Sequence, residues 1–163
     1  MKPKVCFDLS DAQKAFDQLG ANCGPGALAA IAQIELEDAV YAIPDFVKKG
    51  HTKEAMMRSA LNNLGIEFNE KEQGSWPAHG LVRVLWHGPW WDDGLIARFM
   101  RSHWVATTIS EGCRWTFDIN AISMGGWIPH EEWVQNCAPY VASFEKESFG
   151  TWSTWETWSV HPK

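Results

Sequence analysis

Ser102–Asn120 reads SHWVATTISEGCRWTFDIN. Its first eight residues are β-branched and aromatic, EGC offers a turn, and RWTFDIN returns as a second strand. The stretch therefore predicts an antiparallel hairpin. Upstream, GLVRVLW (Gly80–Trp86) alternates and predicts another strand. Downstream, YVASF (Tyr140–Phe144) reads as a last strand. Everything before residue 66 has helical patterning instead. Helices first and a sheet second make an α+β fold, not a run of alternating βαβ units.

Within the helical half, Gln18–Gln33 reads QLGANCGPGALAAIAQ. A loop is expected to lead into a helix that starts near Cys23, with Asp8 or Ser10 capping a short turn before it. Pro25 suits a first helical turn, where its missing N–H costs nothing. Leu28, Ile31 and Ile34–Leu36 then point to a core. Pro44 and DFVKKG suggest a short helix closed by Gly50. Thr52 is the expected N-cap of KEAMMRSALNNLG, with Gly65 as its stop. Met56, Met57, Ala60, Leu61 and Leu64 give that helix its buried face.

Between the first two strands, WHGPWWDDGLIARFMR reads as a loop with a helical turn, and IPHEEWVQNC as a short helix opened by Pro129. The tail FGTWSTWETWSV sets Trp152, Trp155 and Trp158 three apart, which fits either a helical edge or an extended chain. There is no repeat and no low-complexity linker, and 163 residues suit one domain, 1–163.

The net charge of −6 argues against nucleic acid or an anionic membrane as partner, since both favour a basic surface. No run approaches the roughly 20 apolar residues of a membrane span, and MKPKVCFDLS has no apolar stretch of the secretory kind. A cytoplasmic setting with reduced thiols is the expectation. Four cysteines, at 6, 23, 113 and 137, form no CxxC pair. Cys6, Cys113 and Cys137 are expected to be small buried apolar residues. His51, His79, His87 and His130 lack metal-ligand spacing, so neither a metal nor a cofactor is expected. Eleven tryptophans bring large apolar area and indole donors that need partners.

Cys23 is the residue that invites chemistry. The field at a helix N-terminus and a nearby imidazolium both favour a thiolate. The N–H of Cys23 has no intrahelical acceptor and is free for an oxyanion. Gly24 and Gly26 are expected to leave room for a substrate backbone. His103 opens a strand and is the candidate base. Asp118 and Asn120 lie on the returning strand, where either can take the second ring N–H of His103. Gln18 is the candidate for a further oxyanion donor.

The order of Gln, Cys at a helix start, His on a strand and Asp or Asn on the next strand resembles the papain-like cysteine peptidases. The nearest likeness is to the branch containing the leader-cleaving peptidase domains of bacteriocin exporters. It is carried by NCGPGALAAI, SHWVATT and TFDIN, and by the helix in TKEAMMRSALNNLGIEF. The resemblance implies Cys23 as nucleophile, His103 as general acid and base, Asp118 as orienter and Gln18 in the oxyanion hole. The family's glutamine usually stands about six residues before the cysteine; here it stands five before. No transporter domain follows in this sequence.

The expected function is thiol-dependent hydrolysis of a peptide or isopeptide bond in a peptide or protein substrate. WHGPWWDDG, with Trp90, Trp91, Asp92 and Asp93, is placed at the cleft border. A cell-wall amidase or acyltransferase on the same site, and a non-catalytic Trp-rich binding module, are the alternatives.

Overall fold

The computed structural model describes residues 1–161. Five helices come first: α1 (Leu9–Leu19), α2 (Cys23–Ala32), α3 (Leu36–Ala42), α4 (Phe46–Lys49) and α5 (Glu54–Asn63). Strands follow: β1 (Glu67–Glu72), β2 (His79–Trp86), β3 (Ser102–Ser110), β4 (Cys113–Phe117), β5 (Trp127–Pro129) and β6 (Trp152–His161). A short helix α6 (Leu95–Phe99) precedes β3. After β5 come α7 (His130–Glu132), a π-turn over Trp133–Cys137 and α8 (Ala138–Ala142). The six strands form one antiparallel sheet in the order β1-β6-β2-β3-β4-β5. The α+β expectation holds, and the hairpin is β3–β4.

α1 is a full helix of 11 residues, where a short turn was expected. Asp8 caps it by accepting from the N–H groups of Ser10 and Asp11, and Asp11 reciprocates to the Asp8 N–H. Gly20 ends it at φ 73°. α2 stops at Gln33 in the left-handed region, so Leu36–Ala42 is a separate helix. Gly50 and Gly65 close α4 and α5 as read from the sequence.

The last strand lies elsewhere than expected. Tyr140–Phe144 is not a strand, because Ala138–Ala142 continues the helical run begun at His130. The tryptophan-spaced tail supplies the last strand, and β6 inserts between β1 and β2. Its spacing is explained by a bulge. Val84 stands opposite Thr154 and Arg83 opposite Glu156, which leaves Trp155 as the extra residue. The bulge reverses the alternation of faces. Trp158 therefore joins the core beneath α1–α5, while Trp152 packs on the other face with Trp76 and Trp133.

The sheet separates two apolar clusters. Leu81, Trp104, Ala106, Phe117 and Trp158 meet α1–α5 on one face. Val82, Val84, Trp86, Val105 and Ile128 meet Trp90, Trp133 and α8 on the other. The outer strand β1 reads EFNEKE and is almost wholly exposed, its charges discouraging a further strand from pairing there. No helix among the described residues is long and apolar enough to cross a membrane. Cys6 and Cys113 are exposed and Cys137 half-buried, against the expectation of burial, and none of the four thiols is in a disulfide.

The glycines of α2 serve packing. A β-carbon on Gly24 would stand 2.1 Å from Thr52 Oγ1, and one on Gly26 would stand 2.9 Å from Ile119 Cδ1. On these sides of α2 the room left by the missing β-carbons is filled by Thr52 and Ile119. Gly24→Ala is expected to lower stability by about 1–3 kcal/mol through overpacking, read as a lower denaturation midpoint in urea.

Candidate active site

The hydrogen-bond alternation of β2 and β3 builds the site. Trp86 N–H donates to Arg101 C=O, and Ile109 N–H to Ala78 C=O. Counting alternate residues from these, His103 exchanges main-chain bonds with Val84, and Trp104 turns its N–H and C=O away from β2. β4 pairs with β3 only from Ala106 to Ser110, so Trp104 faces a notch where β4 has ended. The N-terminus of α2 fills that notch. Cys23 Sγ lies near enough to the His103 ring and to the Trp104 main chain for both to act on its titration. A sulfur on a helix and an imidazole on a strand meet because one strand is shorter than its neighbour.

Just past the end of β4, Asp118 is fully buried and caps the 3₁₀ turn Ile119–Met124. The strand expected to reach Asn120 stops at Phe117, so Asp118 and Asn120 do not share a strand face. Asp118 Oδ2 accepts from His103 Nε2 at 3.0 Å and from Trp133 Nε1 at 2.9 Å. Its Oδ1 accepts from the Asn120 N–H at 3.0 Å and from Asn120 Nδ2 at 2.9 Å. Asp118 is thus the partner of His103, and Asn120 steadies Asp118. With Nε2 engaged there, Nδ1 is the ring nitrogen left for Cys23.

The electrostatics follow from these contacts. Burial pushes the Asp118 carboxyl up, but the His103 charge and the hydrogen bonds of His103, Trp133 and Asn120 outweigh it, holding the group at about 2. Burial disfavours imidazolium at His103, yet Asp118 and then Cys23 raise the ring to about 10. Burial likewise opposes a thiolate at Cys23; the His103 hydrogen bond and charge, with the Trp104 N–H, bring the thiol below its ordinary value. The arrangement shifts the pair toward thiolate and imidazolium relative to an isolated thiol and imidazole.

Several neighbours carry no motif a sequence could flag. Trp86 stacks on His103 at 5.7 Å between centroids and 27° between planes. Trp133 is fully buried by its own ring stack and spends its indole N–H on Asp118. The only sequence signal for it was an apolar position in IPHEEWVQNC. Arg83, opposite Trp104, is buried with its guanidinium 3.7 Å from Glu156 and against the rings of Phe99 and Trp104. Its charge also favours the Cys23 thiolate, as the mutual effect on Arg83 indicates.

Other expected site residues lie elsewhere. Because α1 is helical to Leu19, Gln18 is carried to its exposed side, on a groove with Glu35, Leu36, Val40 and Tyr41. Its side chain makes no hydrogen bond among the described residues. This placement lends no support to an oxyanion role for Gln18. Trp90 is buried and donates to Trp86 C=O, which ties WHGPWWDDG to the site through the Trp86–His103 stack. Asp92 and Asp93 are exposed. No group of three or more His, Cys, Asp or Glu among the described residues is placed to hold a metal ion.

No protein-family model matches the chain, and no curated protein matches it significantly.

Proposed function

We propose that this protein is a papain-like cysteine hydrolase that cleaves a peptide or isopeptide bond through a thioester on Cys23. One observation carries the reading: His103 is held by a buried carboxylate through Nε2 while its ring meets a thiol at a helix N-terminus. A structural ion pair needs no such thiol, and a structural cysteine needs no such imidazolium. The division of labour also fits the resemblance, with a helical half supplying the sulfur and a sheet supplying the base.

The chemistry then runs on the chain's own groups and water. Cys23 Sγ attacks the carbonyl carbon, and the carbonyl electron pair moves to oxygen beside the free Cys23 N–H. The tetrahedral species collapses, and the leaving amine takes its proton from His103. His103, now neutral, removes a proton from water, which attacks the thioester. The acid product leaves and the thiolate–imidazolium pair returns. Asp118 fixes the ring tautomer and stabilises the imidazolium at each stage.

The test uses a peptide library with known termini. Wild-type protein is expected to generate new termini that Cys23→Ala protein does not. An equal yield from both, or none from wild type across the library, would go against the reading.

A further inference from the structure

The first turn of α2 is uncapped in an unusual way. Asn22 stands at the N-cap, but its side chain makes no cap bond and instead donates from Nδ2 to Ala12 C=O at 3.0 Å. The first main-chain bond of the helix runs from Gly26 N–H to Asn22 C=O. Pro25 has no N–H to satisfy. The N–H groups of Cys23 and Gly24 therefore lack main-chain acceptors within the helix, and the helix field is concentrated there.

Thr52 faces this end. The sequence pattern made it the N-cap of α5, but Lys53 holds that position and no side chain caps α5. Thr52 is 9% exposed, and its Oγ1 is buried with no hydrogen-bond partner among the described residues. A buried hydroxyl left unpaired is costly, and such a group in a folded protein calls for an explanation. Its orientation is set. Thr52 C=O accepts from Trp104 Nε1 at 3.1 Å, the residue after His103. Toward Gly24, the residue after Cys23, Oγ1 leads: it is 2.1 Å from the β-carbon position and Cγ2 is 3.1 Å away. The hydroxyl is thus turned to the helix end that bears the nucleophile, and Gln18 is not there.

We propose that the Thr52 hydroxyl is a catalytic residue that donates to the oxyanion formed when Cys23 attacks a carbonyl, taking the part expected of a glutamine amide. This rests on the acyl-transfer reading above. In the step, the Sγ–C bond forms as the carbonyl π pair moves to oxygen. That oxygen accepts from Cys23 N–H and Thr52 O–H, and no proton leaves either donor. On collapse the pair returns to re-form C=O, the bond to the leaving group breaks, and the two hydrogen bonds weaken.

Two reactions of the same sulfur separate this role from a structural one. Acylation by p-nitrophenyl acetate passes through an oxyanion, whereas alkylation by iodoacetamide does not. Thr52→Val is expected to slow acylation of Cys23 roughly 100-fold and to leave its alkylation rate at pH 6 unchanged. Thr52→Ser should restore acylation. Thr52→Ala, which relieves any crowding at Gly24, should show the same split as valine. Unchanged acylation, or acylation and alkylation falling together in both variants, would overturn the role. A wild-type Cys23 that alkylates rapidly but is not acylated would overturn it too. Should wild-type Cys23 fail to alkylate at pH 6, the hydrolase reading itself falls, which is a distinguishable result.

Discussion

His103→Ala is expected to reduce peptide cleavage on the order of 10³-fold or more, about as deeply as Cys23→Ala. The two side chains form one functional unit. Without the ring, Cys23 loses both the hydrogen bond and the positive charge that offset its burial, so the thiol reverts toward the protonated form. The leaving amine also loses its proton source. The variant will be less stable, because the buried Asp118 carboxylate loses its charge partner, but Trp133 and Asn120 still donate to it and Val84 and Val105 stay packed. The loss should also be visible without substrate. Rapid alkylation of Cys23 at pH 6 should disappear in the variant while circular dichroism stays native.

Asp118→Ala is the second large effect, expected at about 10²–10⁴-fold in cleavage rate. The substitution leaves His103 Nε2 and Trp133 Nε1 buried without their shared acceptor. Destabilisation will accompany it, so Asp118→Asn is the better comparison. The amide oxygen can still accept from the ring, but the charge that raises His103 is gone. Thiolate formation should then move to higher pH. Asn120→Ala should cost less than about tenfold, because the main-chain N–H of residue 120 still donates to Oδ1 at 3.0 Å. A larger loss from Asn120→Ala than from Asp118→Ala would reassign the orienting role.

The charge pair also sets a pH window. The His103 pKa is raised, so its contribution to stability is complete below the unfolded value near 6.5 and is lost as pH rises through about 10. Asp118 has the opposite sign. Its contribution is present above the unfolded value near 3.9 and is lost as pH falls toward about 2.

What was legible in the sequence was the placing of the candidate residues, which rests on local signals. Cys23 before a Pro25 first turn, His103 opening a β-branched run and Asp118 ending one could each be read within ten residues. The hairpin between them followed from a turn at Glu111–Gly112. What stayed hidden depended on distant packing. Thr52 looks like a helix cap, and only the approach of Gly24 shows where its hydroxyl is turned. Trp133 looks like core, and only the 3₁₀ turn after β4 brings Asp118 to its indole. Gln18 was read as part of a loop, but α1 runs on to Leu19 where only a short turn was expected, and this sets its side chain on the exposed face of the helix. β6 was ambiguous because a bulge at Trp155 breaks the two-residue period that marks a strand. Tyr140–Phe144 is apolar enough for a strand, and a five-residue run of this kind cannot by itself be told from buried helix.

The most direct measurement is the iodoacetamide alkylation rate of each cysteine as a function of pH, followed by peptide mass mapping. The exposed Cys6 and Cys113 serve as controls in the same molecule. Cys23 is predicted to label fastest at pH 6 although it is less accessible, with that advantage abolished in His103→Ala. If Cys23 labels no faster than Cys6 and Cys113 at pH 6, no thiolate is held beside His103 and the account is contradicted.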